Sequence, residues 1–482
     1  MTERTIQIPR VVCTIPAPVF LVALAALLSL TARIASGQLP LADALLTADR
    51  AGFANRAAAG TRTAQHGAAL GALRGILPSV RFDAGYVRTT DPIGTFGATL
   101  RQRAATAADF DPARLNHPDA VGNYGTAVVV EQPLFNADAW TGRRAASRAE
   151  DAAAETQQWT TLSTRAGVVR AYYGAVLAAE RATTLGAALT AARAHVRDAE
   201  SLVRNGSATK SDALLATVRA DDIESQLLDA SGNSTNALRQ LEIALGQEPT
   251  GNIVLPRELP GSAAIRQAAS GDTAREAATQ RGDVEAAQSV LDASRADVTR
   301  AHSAYVPRVN GFARYDWNSA ATLYGGDKNW TVGVMASWAP FAGASEIADA
   351  ETAAGHAAAA RAGADGAIAK AKLELETTRV ALGVALARLD IAEHAAAQSG
   401  EAHRMVARKY DAGLASIAEL LDAHAVQVQS ALALSQSRFA VIAASAERKL
   451  ALGRDPGALA VLDGSSPTVG GNTSRTEPEQ RR

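Results

Sequence analysis

Lys409–Ala423, KYDAGLASIAELLDA, reads as the tip of a long helical hairpin. One helix stops near Tyr410, the chain turns at Gly413, and a second helix starts near Ser416. Glycine supplies the positive φ that a left-handed helix stop requires. Ser416-Ile417-Ala418-Glu419 has the S-x-x-E form of a capping box, which satisfies the free amide donors of a new helix. Arg204–Asp212, RNGSATKSD, repeats the pattern, with Gly206 at the turn and Thr209-x-x-Asp212 as a less perfect cap.

The repeat can be counted. Gly206 and Gly413 are 207 positions apart, and so are Leu245-Gly246 and Leu452-Gly453. The flanking prolines, Pro133 with Pro340 and Pro249 with Pro456, share that offset, and each pair encloses 115 residues without a proline. A period this long is a duplicated unit, not a short solenoid repeat. The expected organisation is a signal segment at 1–37, a first repeat at 38–246, a linker or equatorial segment at 247–272, a second repeat at 273–453, and an equatorial segment with a disordered tail at 454–482.

The chain carries a net charge of −1 over 482 residues and has no long basic block, so nucleic acid is unsupported as a partner. It is rich in alanine, which favours helix and lets helices approach closely. Near the N-terminus, Arg10 precedes the apolar run Val11–Leu30, which Pro16 and Pro18 interrupt. Ala35 and Gly37 then suit the −3 and −1 positions of a Sec-type signal, with a retained membrane anchor as the alternative. The only cysteine, Cys13, lies inside this segment, so the mature chain is expected to have no disulfide or thiol chemistry. No other run approaches the roughly 18 apolar residues of a spanning helix, so any membrane crossing must use strands.

In chain order, Leu41–Arg74 is helical in character. The period then changes to two, with Val80, Phe82, Ala84 and Tyr86 followed, after an irregular loop, by Tyr124, Thr126, Val128 and Val130. A Pro-free arm runs to about Arg204, turns, and returns to Gly246, with the polar stretch Ser231–Asn236 expected to weaken it locally. Such an outbound helix would be about 100 Å long and needs a coiled-coil explanation. Asp272–His302 reads as helix again. Alternation returns at Val309–Trp317 and Trp330–Trp338, and the second arm follows. Each half thus offers two strands. Four strands cannot close a barrel in lipid, where open edges are not tolerated, so closure requires several chains. Two soluble hairpins packed on helices are the alternative at this level.

These features together resemble the TolC family of outer-membrane efflux and secretion channels. The residues that carry the resemblance include Leu77-Pro78-Ser79-Val80, Pro133-Leu134-Phe135, Tyr305-Val306-Pro307-Arg308-Val309 and Trp338-Ala339-Pro340-Phe341-Ala342-Gly343. Most specific are Tyr410-Asp411-Ala412-Gly413-Leu414, Leu420-Leu421-Asp422-Ala423 and the closing Leu450-Ala451-Leu452-Gly453. The resemblance covers about residues 38–460. It implies a mainly α fold with membrane β: a homotrimer with a 12-stranded outer-membrane β-barrel, continued by a periplasmic α-helical barrel with a mixed belt around its middle. The implied partners are outer-membrane lipid, a periplasmic adaptor (membrane fusion) protein and an inner-membrane transporter.

The same resemblance places both hairpin tips at the periplasmic aperture. Glu419 and Asp422, three apart, share a helix face, and three chains would set six mutually repelling carboxylates near one axis. Both match the family's acidic ring, Tyr410 matches its latch tyrosine, and Asp212 is the counterpart of Glu419 in the first tip. Capping is the competing role for Glu419. Where well-known members carry an arginine just after the tip glycine, this chain has Ala415, which suggests a more weakly latched aperture. The turns Gly206-Ser207-Ala208-Thr209 and Gly413-Leu414-Ala415-Ser416 resemble adaptor-contact tips, or are simply turn formers. No catalytic motif, metal-ligand spacing or cofactor fingerprint occurs, and the histidines, His394 and His403 among them, read as solvent-facing. The expected function is a passive export duct of a tripartite efflux or type I secretion system. A periplasmic coiled-coil scaffold without a pore is the alternative.

Overall fold

The computed structural model describes residues 37–272 and 281–464. The expected signal segment, apart from its last residue, lies outside them, as do residues 273–280 and the tail from 465.

The single helix expected over 41–74 is two, α1 (Leu41–Ala51) and α2 (Phe53–Gly71). Gly52 breaks it with a non-helical ψ of 130°. A Cβ there would stand 2.4 Å from the Ala48 carbonyl oxygen, to which Asn55 Nδ2 donates at 3.1 Å. Strands β1 (Ser79–Thr89) and β2 (Val121–Phe135) follow. The segment between them is not irregular. It holds α3 (Pro92–Arg101) and α4 (Pro112–Asn116), each started by an aspartate cap, Asp91 or Asp111, with proline in the first turn.

The first long hairpin is α5 (Ala137–Arg204) and α6 (Lys210–Ala244), of 68 and 35 residues. Next come α7 (Ser262–Ala269), α8 (Gly282–His302), β3 (Arg308–Ser319) and β4 (Asp327–Ser337). The second hairpin is α9 (Ser345–Asp411) and α10 (Ile417–Ala451), of 67 and 35 residues. The expected weak point in α6 is absent. Ser231 and Thr235 hydroxyls donate back to the carbonyls of Leu227 and Ser231, so the polar run stays helical.

All four strands form one antiparallel sheet in the order β1-β2-β3-β4, the two strand pairs being joined by β2 against β3. Register sorts the side chains, because directly opposed residues share a face. Phe82 opposes Val128, which opposes Tyr315, which opposes Trp330. The neighbouring row is Val80, Val130, Ala313 and Val332. Rows one residue away are mostly polar or small: Asp83, Ala127, Asp316 and Asn329 form one, and Arg81, Arg314 and Thr331, with the buried Val129, the next. The apolar face is uncovered, with Phe82 75% and Trp330 73% exposed.

The main core lies at mid-length of the long helices. Leu41, Leu45, Val169, Tyr172, Leu241, Leu382, Leu389 and Val441 are buried together with Leu255, Leu259, Ile265 and Leu459 from the connecting segments. Those segments wrap the helices as a belt. Arg165 fastens it, reaching Asp49 at 2.6 Å and Asp455 at 2.5 Å. Glycine is required at Gly246, where φ is +76° and a Cβ would meet the Ala51 carbonyl oxygen at 2.1 Å.

Candidate functional site

Both hairpins end in the same backbone construction. Gly206 and Gly413 have φ of +73° and +70°. Ser207 N–H donates to the Leu202 carbonyl at 2.9 Å and Gly206 N–H to Val203 at 3.1 Å. In the second tip Leu414 donates to Lys409 at 2.8 Å and Gly413 to Tyr410 at 2.9 Å. This pair of bonds is the Schellman closure, which satisfies carbonyls at a helix end.

Each return helix opens with a full capping box, so the first is no less regular than the second. Asp212 accepts from the Thr209 N–H at 3.0 Å and from its hydroxyl at 2.8 Å. Glu419 accepts from the Ser416 N–H at 2.8 Å. The Thr209 backbone N–H, then its hydroxyl, hold the Asp212 carboxyl below the ordinary aspartate range. The structure therefore engages Asp212 and Glu419 as caps within the protomer.

Asp422 stands apart from the caps. Its side chain is 71% exposed and faces Arg219 Nη2 at 3.5 Å. Arg219 lies two turns into α6 and was invisible as a partner in sequence, because 203 residues separate it from Asp422. It supplies a cation from the first hairpin to the second. An ion pair this exposed contributes about 0–1 kcal/mol.

Tyr410 is half-buried, and its hydroxyl has no hydrogen-bond partner among the described residues. Burial, then the charges of Asp198, Asp212 and Asp411, push that hydroxyl's pKa up. Its ring packs with Val406 and Ala407 on a second apolar cluster, made of Ala199, Ala216, Ile417, Leu420 and Leu421. This cluster joins the tip of one hairpin to the tip of the other. Around it, Gly206, Ser207, Thr209, Gly413, Leu414 and Ser416 are exposed, whereas Ala208 and Ala415 are half-buried. Leu414 is 78% exposed.

The histidines are not all solvent-facing. His394 is exposed, but His403 is half-buried and its Nε2 is buried without a partner among the described residues. It faces His424 of α10, with ring centroids 5.3 Å apart, and His424 in turn meets His195 of α5 at 5.7 Å. Spacing within a single helix gives no sign of a cluster built from three. Among the described residues, no group of three or more His, Cys, Asp or Glu is arranged to hold a metal ion, and no helix is long and apolar enough to cross a membrane.

An open four-stranded sheet with one apolar face, joined to two helical hairpins with paired tips, defines the class of outer-membrane channel protomers. The family model described as outer membrane efflux protein matches residues 55–247 and 273–454, and the chain belongs to that family. Among solved structures, the CmeC outer membrane channel of Campylobacter jejuni is similar, at 16% identity and a TM-score of 0.70, over 86% of this chain and 85% of that one. VceC of Vibrio cholerae matches at 18% identity and 0.70, over 86% and 96%. The open state of the MtrE outer membrane channel of Neisseria gonorrhoeae matches at 16% and 0.67, over 87% and 90%. No curated protein matches the chain at the level of sequence.

Proposed function

We propose that this chain is the passive outer-membrane duct of a tripartite efflux system, working as a homotrimer. The sheet carries the reading. Its one apolar face suits lipid, its other face suits a water-filled lumen, and its outer strands β1 and β4 are unpaired edges. Edges of this kind in hydrocarbon require closure, and three copies of four strands give a closed barrel of 12. The long hairpins then continue as a periplasmic tunnel. Substrate would be delivered by an inner-membrane transporter through a periplasmic adaptor whose own hairpins meet Gly206–Thr209 and Gly413–Ser416. A type I secretion partner would use the same duct.

At the periplasmic mouth, Tyr410, Asp212, Glu419 and Asp422 form the aperture. Asp212 and Glu419 serve first as caps and second as part of an acidic ring, while Asp422, beyond the capping position and exposed beside Arg219, is the carboxylate that faces the lumen. The reading is tested by outer-membrane fractionation, gel mobility of a heat-sensitive trimer, and single-channel conductance in planar bilayers. A Glu419→Ala/Asp422→Ala variant should conduct more readily and lose block by divalent cations. Unchanged conductance and block would remove the acidic ring. A protein that fractionates with the soluble periplasm and forms no pore would be a scaffold instead.

A further inference from the structure

The three histidines lie one layer behind the apolar cluster that joins the tips. His195 is four residues before Ala199 on α5, His403 four before Ala407 on α9, and His424 four after Leu420 on α10. Four residues is one helical turn, so the same three helices carry first the apolar layer and then the imidazole layer. Separating the two tips must therefore open the imidazole layer as well. The layer has no counterpart under the duplication. At the positions 207 away stand Ala402, Val196 and Thr217, so these histidines belong to the asymmetry between the hairpins.

We propose that His195, His403 and His424 form a proton-sensitive seam, packed while neutral, whose protonation separates the second hairpin's tip from the first. The inference deepens the channel reading and rests on it for its physiological meaning. Three imidazoles from three helices meet in one place, and two of them are withdrawn from water: His424 is only 6% exposed, and His403 Nε2 is buried unpaired. Cations in this layer would repel one another at short range in low dielectric.

The charges facing the seam are few and mixed. Asp198 on α5 and Asp411 on α9 favour a protonated His195. From α6, Arg219 and Asp222 line with His424 a cavity of about 420 Å³, which Arg181 of α5 also borders. Arg219 is paired with Asp422 of α10. Burial dominates nonetheless. It lowers the pKa of His195 and His403, and with the other two rings it brings His424 from 6.5 down to about 4.

The sign follows. A histidine lowered in the packed state binds fewer protons there than in the open state. The packed seam is therefore fully favoured above the open-state value of 6.5, and it weakens as pH falls from there toward about 4. At about pH 5.5, a ring of open-state pKa about 6.5 and packed-state pKa about 4 shifts the balance toward opening about tenfold.

The test reads the tips directly. With Cys13, the chain's only cysteine, replaced by serine, Ser207→Cys and Leu414→Cys, equivalent exposed turn positions, can carry paired spin labels on the full chain in detergent. Pulsed electron resonance at about pH 7.5 and about pH 5.5 should show the ratio of the longer to the shorter tip-to-tip population rising about tenfold and reversing on return. A His403→Phe/His424→Phe background should hold the same distance distribution at both pH values. The single His403→Asn background, at a half-exposed position, should blunt the change. An undiminished shift in both backgrounds, or none in the parent, overturns the seam. Tip movement in a protein without conductance would overturn the channel reading alone, and a conducting pore with pH-invariant tips would overturn the seam alone.

Discussion

The two hairpin tips share a backbone and differ in chemistry. Each has a glycine near φ +70°, a Schellman closure and a complete capping box. Yet α10 sends Ile417, Leu420 and Leu421 into the apolar cluster, whereas α6 sends only Ala216 and, at its margin, Ala213. Acid also sits mainly on the second tip and its cation on the first, through Asp422 and Arg219. Duplication preserved what the turn demands of the backbone. It left side chains free to diverge wherever only packing or charge was at stake. The second tip thus becomes the clasp, and the first the surface it closes on.

The sharpest test uses one residue type at equivalent positions. Leu421 is 4% exposed and Leu214, 207 positions earlier, is 57% exposed. Leu421→Ala should cost about 2–4 kcal/mol of tip stability, through lost burial and a cavity. Leu214→Ala should cost less than about 0.5 kcal/mol. Hydrogen exchange over the two tips checks both. Equal costs would break the comparison at the level of the protomer, and would mean that a neighbouring chain covers Leu214.

Gly413→Ala and Gly206→Ala come next, and here the tips should agree. No neighbouring atom lies within 4 Å of a Cβ at either site, so the penalty is purely the left-handed backbone, about 1–2 kcal/mol in both. A glycine helix stop is local chemistry, which is why the two tips, the 207-residue offset and the strand–hairpin order were legible in the sequence. Contacts between segments were not. Nothing local marks Arg219 as a partner for Asp422, or His195, His403 and His424 as neighbours. The break at Gly52 was hidden for a related reason, since it depends on an Asn55 side chain turning back to the Ala48 carbonyl. Alternation revealed the strands, but their merging into one sheet needed β2 to find β3, more than 170 residues away in sequence.

The caps should differ less than the leucines and more under acid. Thr209→Ala and Ser416→Ala should each cost about 1 kcal/mol. Asp212 adds a pH dependence to the first. Its carboxyl is depressed in the folded tip, so its contribution is present above the unfolded value of 3.8 and is lost as pH falls through the lower folded value. Exchange protection at residues 209–213 should therefore drop below about pH 4, relative to the mid-helix belt. The drop should vanish in Asp212→Asn, and its persistence there would assign it to another carboxylate.

The smallest effect bears most directly on how the clasp is closed. Arg219 and Asp422 are 48% and 71% exposed, so water and salt screen them. A double-mutant cycle of Arg219→Ala and Asp422→Asn should give a coupling of about 0.2–1 kcal/mol that fades with added salt. About 0.8 kcal/mol corresponds to roughly a fourfold change in an opening equilibrium, which channel recordings resolve more readily than denaturation does. Exchanging the charges, Arg219→Asp with Asp422→Arg, should restore the coupling if the two side chains act only as a pair. If instead the exchange leaves the channel open, Asp422 answers mainly to the carboxylates of its symmetry mates, and the acidic second tip, rather than the link between hairpins, sets the resting state.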